Sequence, residues 1–121
     1  MGKVCVLGAG STKYGKLEDS ITDIALQASV SAIESAGIES KEIKSGYISN
    51  VFGVADKQVH LGPVIMSNLG ISDKPSLSIE SACGSGSVLK TSSAHPKIDL
   101  SFKALIKSSS TTVCPLPIFI K

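Results

Sequence analysis

The segment Ala82-Cys83-Gly84-Ser85-Gly86-Ser87 is where residue types and spacing could support covalent chemistry. A cysteine set between the end of a strand and the start of a helix lies where backbone N–H groups converge and the helix dipole favours negative charge, which stabilises a thiolate. Gly84 and Gly86 leave those amides uncovered by side chains and let a substrate carbonyl approach. This is what attack on a thioester requires: an accessible, partly ionised sulfur beside hydrogen-bond donors for the developing oxyanion. The competing reading makes Cys83 a small buried hydrophobe, the usual fate of a single cysteine. Its glycine-rich setting favours the nucleophile.

Positioning that segment requires a strand before it, and Leu77–Ser81 reads as one that runs directly into Ala82. Two further strands are expected. Lys3–Leu7 is a short continuous apolar run bounded by Gly8, suited to a strand buried on both faces, and Gly46–Phe52 alternates and is rich in Tyr, Ile, Val and Phe. Between them, Ser20 and Asp23 have capping-box spacing, with Asp in place of Glu. They precede an amphipathic stripe of Ile21, Ile24, Ala25, Ala28, Ala32 and Ile33. Gly37 followed by Ile38 supplies a left-handed stop with its apolar contact. His60–Leu69 reads as a short helix ended by Gly70, with Pro63 tolerated near its start. Strands alternating with helical segments predict a layered α/β sheet.

Composition narrows the classes of function. A chain of 121 residues forms one compact domain, and 42% apolar against 18% charged residues describes a folded chain. All 12 basic residues are Lys, the formal net charge is +2, and aromatics are 4%. With no guanidinium fork and few stacking rings, nucleic acid is not an expected partner. No apolar run reaches the length of a membrane span, and no secretory leader is recognisable. Cys5, Cys83 and Cys114 are odd in number and widely spaced, matching neither a disulfide framework nor a zinc site, so no metal is expected and a reduced, cytoplasmic setting is.

The character of the chain changes near residue 88. All eleven glycines lie at or before Gly86, and seven Lys against nine acids up to Ser87 give way to five Lys against Asp99 alone. The reading is of residues 1–89 as one unit and residues 90–121 as a divergent tail.

Several ordered stretches across residues 3–89 together resemble the thiolase family, especially its lipid-transfer-associated and archaeal branch. Val6-Leu-Gly-Ala-Gly-Ser-Thr-Lys-Tyr-Gly-Lys-Leu is similar to the family's opening strand and loop. Tyr47-Ile-Ser-Asn-Val-Phe-Gly is similar to its second strand, with Gln58 and His60-Leu-Gly-Pro in the dimer-side loop. Ile79-Glu-Ser-Ala-Cys-Gly-Ser-Gly-Ser is similar to its nucleophile segment. The resemblance implies an α/β fold, an incomplete thiolase-like N-terminal half with layered α/β/α architecture and a mixed sheet, followed by the divergent tail. It also implies that Cys83 accepts an acyl group from acyl-CoA and passes it to coenzyme A or an acetyl-CoA carbanion, as an acetyl-CoA acetyltransferase does. Gly84 and Gly86 would support the loop and oxyanion. No cofactor is implied beyond coenzyme A thioesters as substrates, and a homodimer or homotetramer associating through Leu77–Ser81 is.

The family's activating Gly-His-Pro histidine and second Cys-x-Gly cysteine have no counterpart. Ala94-His95-Pro96 lies twelve residues after Cys83, where the family is still in its nucleophile helix, and reads as a chance dipeptide. Cys114 is followed by Pro115, not by an x-Gly pair. The chain is therefore expected to be inactive or severely impaired alone, or to persist as a non-catalytic remnant that acts by association. The abrupt change after Leu89 is also what a frameshift leaves, testable by reading the encoding DNA in its other frames. The implied sheet has five strands, the fourth and fifth lying between the second and first. Ile98–Ile106 and Val113–Ile120 could stand in for these, although Pro115 and Pro117 make the latter a poor central strand. A nucleotide-binding module is the remaining alternative, suggested by Gly8-Ala-Gly10 after a strand, but Lys13 stands where the dinucleotide fingerprint needs its third glycine.

Overall fold

The computed structural model describes residues 6–50, 57–88, 104–108 and 119–120, the last two stretches as backbone. The elements are α1 (Ile21–Ala36), β1 (Gly46–Asn50), α2 (Leu61–Asn68), β2 (Ser76–Ile79), β3 (Ala104–Ser108) and β4 (Phe119–Ile120), with 3-10 turns at Ser40–Glu42 and Ala82–Gly84.

Helix α1 begins where its side chains can satisfy the first free amides. The Ser20 hydroxyl accepts from the Asp23 N–H at 3.2 Å and donates to the Asp23 carboxylate at 2.5 Å, a cap that contributes roughly 1 kcal/mol. The helix ends at Gly37, whose φ of 66° lets its N–H donate to the Glu34 carbonyl at 3.0 Å while Ile38 N–H reaches Ile33 at 3.4 Å. Helix α2 stops in the same way: Gly70 has φ 74°, and Ile71 N–H donates to the Met66 carbonyl at 2.9 Å.

Ile21, Ala25, Ala28, Ala32 and Ile33 of α1 meet Leu61, Ile65 and Met66 of α2 over Ile48 of β1, closed by Ile43 and Ile71. The stripe differs from expectation in one place. Ile24 is only half-buried while Ser29 is buried, its hydroxyl satisfied by the Ala25 carbonyl at 2.6 Å. On the other face of β1, Tyr47 and Ser49 are also buried, so this strand is covered on both sides. Ser49 Oγ has no hydrogen-bond partner there.

The sheet order is β2-β1-β3-β4, with β1 parallel to both β2 and β3 and β4 antiparallel to β3. β3 falls at the end of the Ile98–Ile106 segment and runs two residues past it, and β4 falls within Val113–Ile120. The tail thus supplies two strands on the free side of β1, β3 against β1 and β4 against β3. The strand expected over Lys3–Leu7 lies outside the described residues for Lys3, Val4 and Cys5, and Val6 and Leu7 are irregular and exposed. Pro115, Pro117 and most of the tail also lie outside the described residues.

Residues 8–10 lie directly on α1. A Cβ on Gly8 would stand 2.4 Å from the Ala32 carbonyl oxygen, and one on Gly10 would stand 2.3 Å from that of Ala28. The small stripe Ala28-Ala32-Ala36 exists to admit this backbone. These glycines are thereby committed to packing along the side of a helix that begins only at Ile21, and they open no helix N-terminus of the kind that holds a pyrophosphate.

Gly10→Ala is expected to destabilise the fold by about 1–3 kcal/mol, the usual cost of overpacking against rigid backbone, read as a lower urea midpoint at unchanged slope. Tyr47 gives a second expectation. Burial pushes its phenol above the ordinary value of 10.0, partly offset by a hydrogen bond with Ser45. A raised folded-state pKa means stability that is fully present below the unfolded value and lost as pH rises through the folded one. The urea midpoint should therefore fall above about pH 10, and Tyr47→Phe should flatten that decline.

Candidate active-site elbow

β2 hands the chain to Glu80 and Ser81, and the backbone then reverses through the 3-10 turn Ala82–Gly84 into a helical turn at residues 85–88. The strand ends two residues earlier than the expected Ser81, so a short joint separates it from the cysteine. The reversal places Ala82 at φ 44°. For a residue with a Cβ this left-handed conformation costs roughly 1–2 kcal/mol and persists only where its surroundings impose it.

Four hydrogen bonds surround it here. Gly84 N–H donates to the Ser81 carbonyl at 2.9 Å, and Ser85 N–H donates to the Ala82 carbonyl. The Ser85 hydroxyl accepts from Ser81 N–H at 2.7 Å and donates to the Ala82 carbonyl at 2.7 Å. Ser85 is 1% exposed, whereas every other residue from Glu80 to Gly84 is exposed. Cys83 is the middle residue of the turn, with a free, exposed thiol. The buried-hydrophobe alternative for this cysteine therefore does not hold.

The two glycines differ. A Cβ on Gly84 would meet only Ser81 Oγ, at 3.8 Å, so the space beside the cysteine is open. Its N–H, however, is committed to the Ser81 carbonyl, so Gly84 shapes the loop and is not a spare donor. Gly86 is half-buried on the first helical turn.

A recess of about 170 Å³ lies at the C-terminal ends of β1 and β2, lined by Asn50, Gln58, Val59, Ser78, Ile79 and Glu80 among others. Gln58 is thus brought against the strand that leads to Cys83. Its Oε1 accepts from the His60 N–H at 3.2 Å. His60 itself is exposed at the start of α2 and, like Cys83, does not line the recess. His95, Cys5 and Cys114 lie outside the described residues. Among the described residues no group of three or more His, Cys, Asp or Glu could hold a metal ion, and no helix is long and apolar enough to cross a membrane.

Sequence reasoning missed Ser85 and the strain at Ala82. The available signal was the four-residue spacing of Ser81 and Ser85 around the cysteine, which lets a hydroxyl close back on the chain.

A scan against protein-family models finds no match. Two curated archaeal proteins are similar in sequence. The acetyl-CoA acetyltransferase of Methanocaldococcus jannaschii is 38% identical over 90 residues, 73% of this chain and 23% of that protein. The acetyl-CoA acetyltransferase of Methanothermobacter thermautotrophicus is 32% identical over 97% of this chain and 32% of that protein, a match that takes in the elbow and extends past residue 89. The chain thus spans 23% and 32% of the lengths of these two curated relatives. In structure, it is similar to 3-oxoacyl-[acyl-carrier-protein] synthase III from Aquifex aeolicus VF5, with TM-score 0.72, 14% identity, and coverage of 86% of this chain and 44% of that one. The priming β-ketosynthase of the R1128 polyketide pathway gives TM-score 0.67 and 18% identity, over 86% of this chain and 41% of that one.

Proposed function

Because the chain has the thiolase-like fold and the sequence of the N-terminal part of the thiolase family, we propose that Cys83 is the acyl-accepting nucleophile of a thiolase-type acyltransferase. The observation that carries this is the exposed Cys83 in the turn that Ala82 opens at positive φ, inside the stretch over which the chain is similar to an acetyl-CoA acetyltransferase. In the first half-reaction the Cys83 sulfur attacks the thioester carbonyl of acyl-CoA. A new C–S bond forms, the bond to coenzyme A breaks, and the proton lost by Cys83 ends on the coenzyme A thiol. In the second, coenzyme A or an acetyl-CoA carbanion takes the acyl group and frees the thiolate.

The roles of the neighbouring residues are those the resemblance implies. Gly84 keeps the space beside the sulfur open, Gly86 lets the helix begin close to it, and Gln58 with His60 forms the dimer-side loop. The histidine and second cysteine that complete the family's machinery are absent from these 121 residues, so acyl transfer by these residues alone is severely impaired. Coenzyme A thioesters are the substrates, no further cofactor is required, and the setting is the cytoplasm, within lipid metabolism.

One observation favours a second reading, a remnant that acts by association. β2 is the outer strand of the described sheet, and Leu77 on it is 51% exposed. An unpaired edge with an apolar residue invites another strand. A second copy of the chain or an intact relative would cover it.

Intact-mass analysis after prolonged incubation with acetyl-CoA reads the first half-reaction alone, and a slow gain of one acetyl group that Cys83→Ala abolishes is expected. No gain in a chain folded by circular dichroism would restrict this polypeptide to the associative role. Light scattering on the eluting protein is expected to give a dimer or tetramer, converted towards monomer by Leu77→Lys. A strict monomer in the unsubstituted chain would overturn association.

A further inference from the structure

We infer that Ser85 is a positioning residue for Cys83, holding the cysteine outward by locking the strained conformation of Ala82; this rests on the reading of Cys83 as nucleophile. The hydroxyl has one proton to give and lone pairs to receive with, and both capacities are used on the two residues that precede the cysteine. It takes the Ser81 N–H at 2.7 Å and gives its proton to the Ala82 carbonyl at 2.7 Å. Its bonds therefore bracket the peptide unit in which φ reaches 44°. Ser85 is 1% exposed while Glu80–Gly84 are exposed, so its side chain is held inward although its partners lie at the surface. The remaining bonds of the turn, Gly84 N–H to Ser81 and Ser85 N–H to Ala82, are those of an ordinary 3-10 turn and do not select a left-handed Ala82. The side-chain clamp is the interaction that does. Removing it leaves Ala82 free to relax to negative φ, which rotates the following peptide and takes Cys83 from its outward position in most molecules.

The test compares the full chain with Ser85→Ala, Ala82→Gly and the double variant, measuring iodoacetamide alkylation at Cys83 by peptide mapping alongside thermal unfolding. Glycine adopts positive φ without the Cβ penalty, so it replaces the clamp's task without restoring its bonds. Ser85→Ala is expected to slow alkylation about fivefold or more, Ala82→Gly to leave it near wild type, and the double variant to recover most of the loss. An unchanged rate in Ser85→Ala overturns the inference. So does a loss of rate, or of folding, that Ala82→Gly does not repair, because Ser85 then serves the core and not the elbow. Alkylation requires no coenzyme A, so a wild-type chain that fails to take an acetyl group from acetyl-CoA defeats the acyltransfer reading and leaves this result standing.

Discussion

Parallel pairing on both sides of β1 is the constraint from which the rest of the architecture follows. A parallel strand carries its polar backbone into the interior, so both edges need partners and both faces need cover. β2 fills one edge and β3 the other, in registers that align Tyr47 with Leu77 and with Leu105. On one face Ile48 is covered by α1 and α2 together, and on the other Tyr47 and Ser49 are buried. The crossover from β1 to β2 is α2, and its length sets where β2 ends and hence where the cysteine emerges. Gly62 fits that crossover to the sheet: a Cβ there would press on Ser76 Oγ, Ser78 Oγ and Ile48 Cδ1 at 3.2–3.4 Å.

Much of this was legible in the sequence because it is local. Ser20, Asp23, Gly37 and Gly70 announce the helix ends through bonds spanning three to five residues, and each end lies where those bonds require. The alternation through Gly46–Asn50 likewise reports a strand within its own length. The partnership of β1 with β3, which joins residues 46–50 to 104–108, is suggested only by the strand order that the resemblance implies and by no local signal. No composition signal marks it: the stretch after Val88 changes in charge and loses glycine, yet Ala104–Ser108 still presents backbone groups that a parallel neighbour can bond. Hydrogen bonding by the main chain is indifferent to the features that made the tail look foreign.

The site was legible in outline and not in its mechanics. Glycines around Cys83 signalled a tight, open turn, and the turn is there. Glycines leave the backbone amides around the cysteine uncovered, whereas the geometry of a 3-10 turn commits the Gly84 N–H to Ser81. Glycine at such a position says that no side chain obstructs; it does not say that the N–H is free. Ser85, conversely, carries no signal in its residue type and is the one buried residue of the segment.

The outer strand ties the two proposed properties together. β2 bears the exposed Leu77 and is the outer strand among the described residues, and three residues beyond its end the backbone enters the strained turn at Ala82. A strand bonded on one side only has less to hold its end in place than a central one, while a left-handed alanine requires firm surroundings. Within the chain, the Ser85 clamp supplies that firmness from the helical side of the turn. A partner strand added along β2 would supply it from the other side, by fixing the strand that feeds the turn. Association and nucleophile geometry are then linked through one element, and covering the edge is a way to order the thiol as well as to bury Leu77.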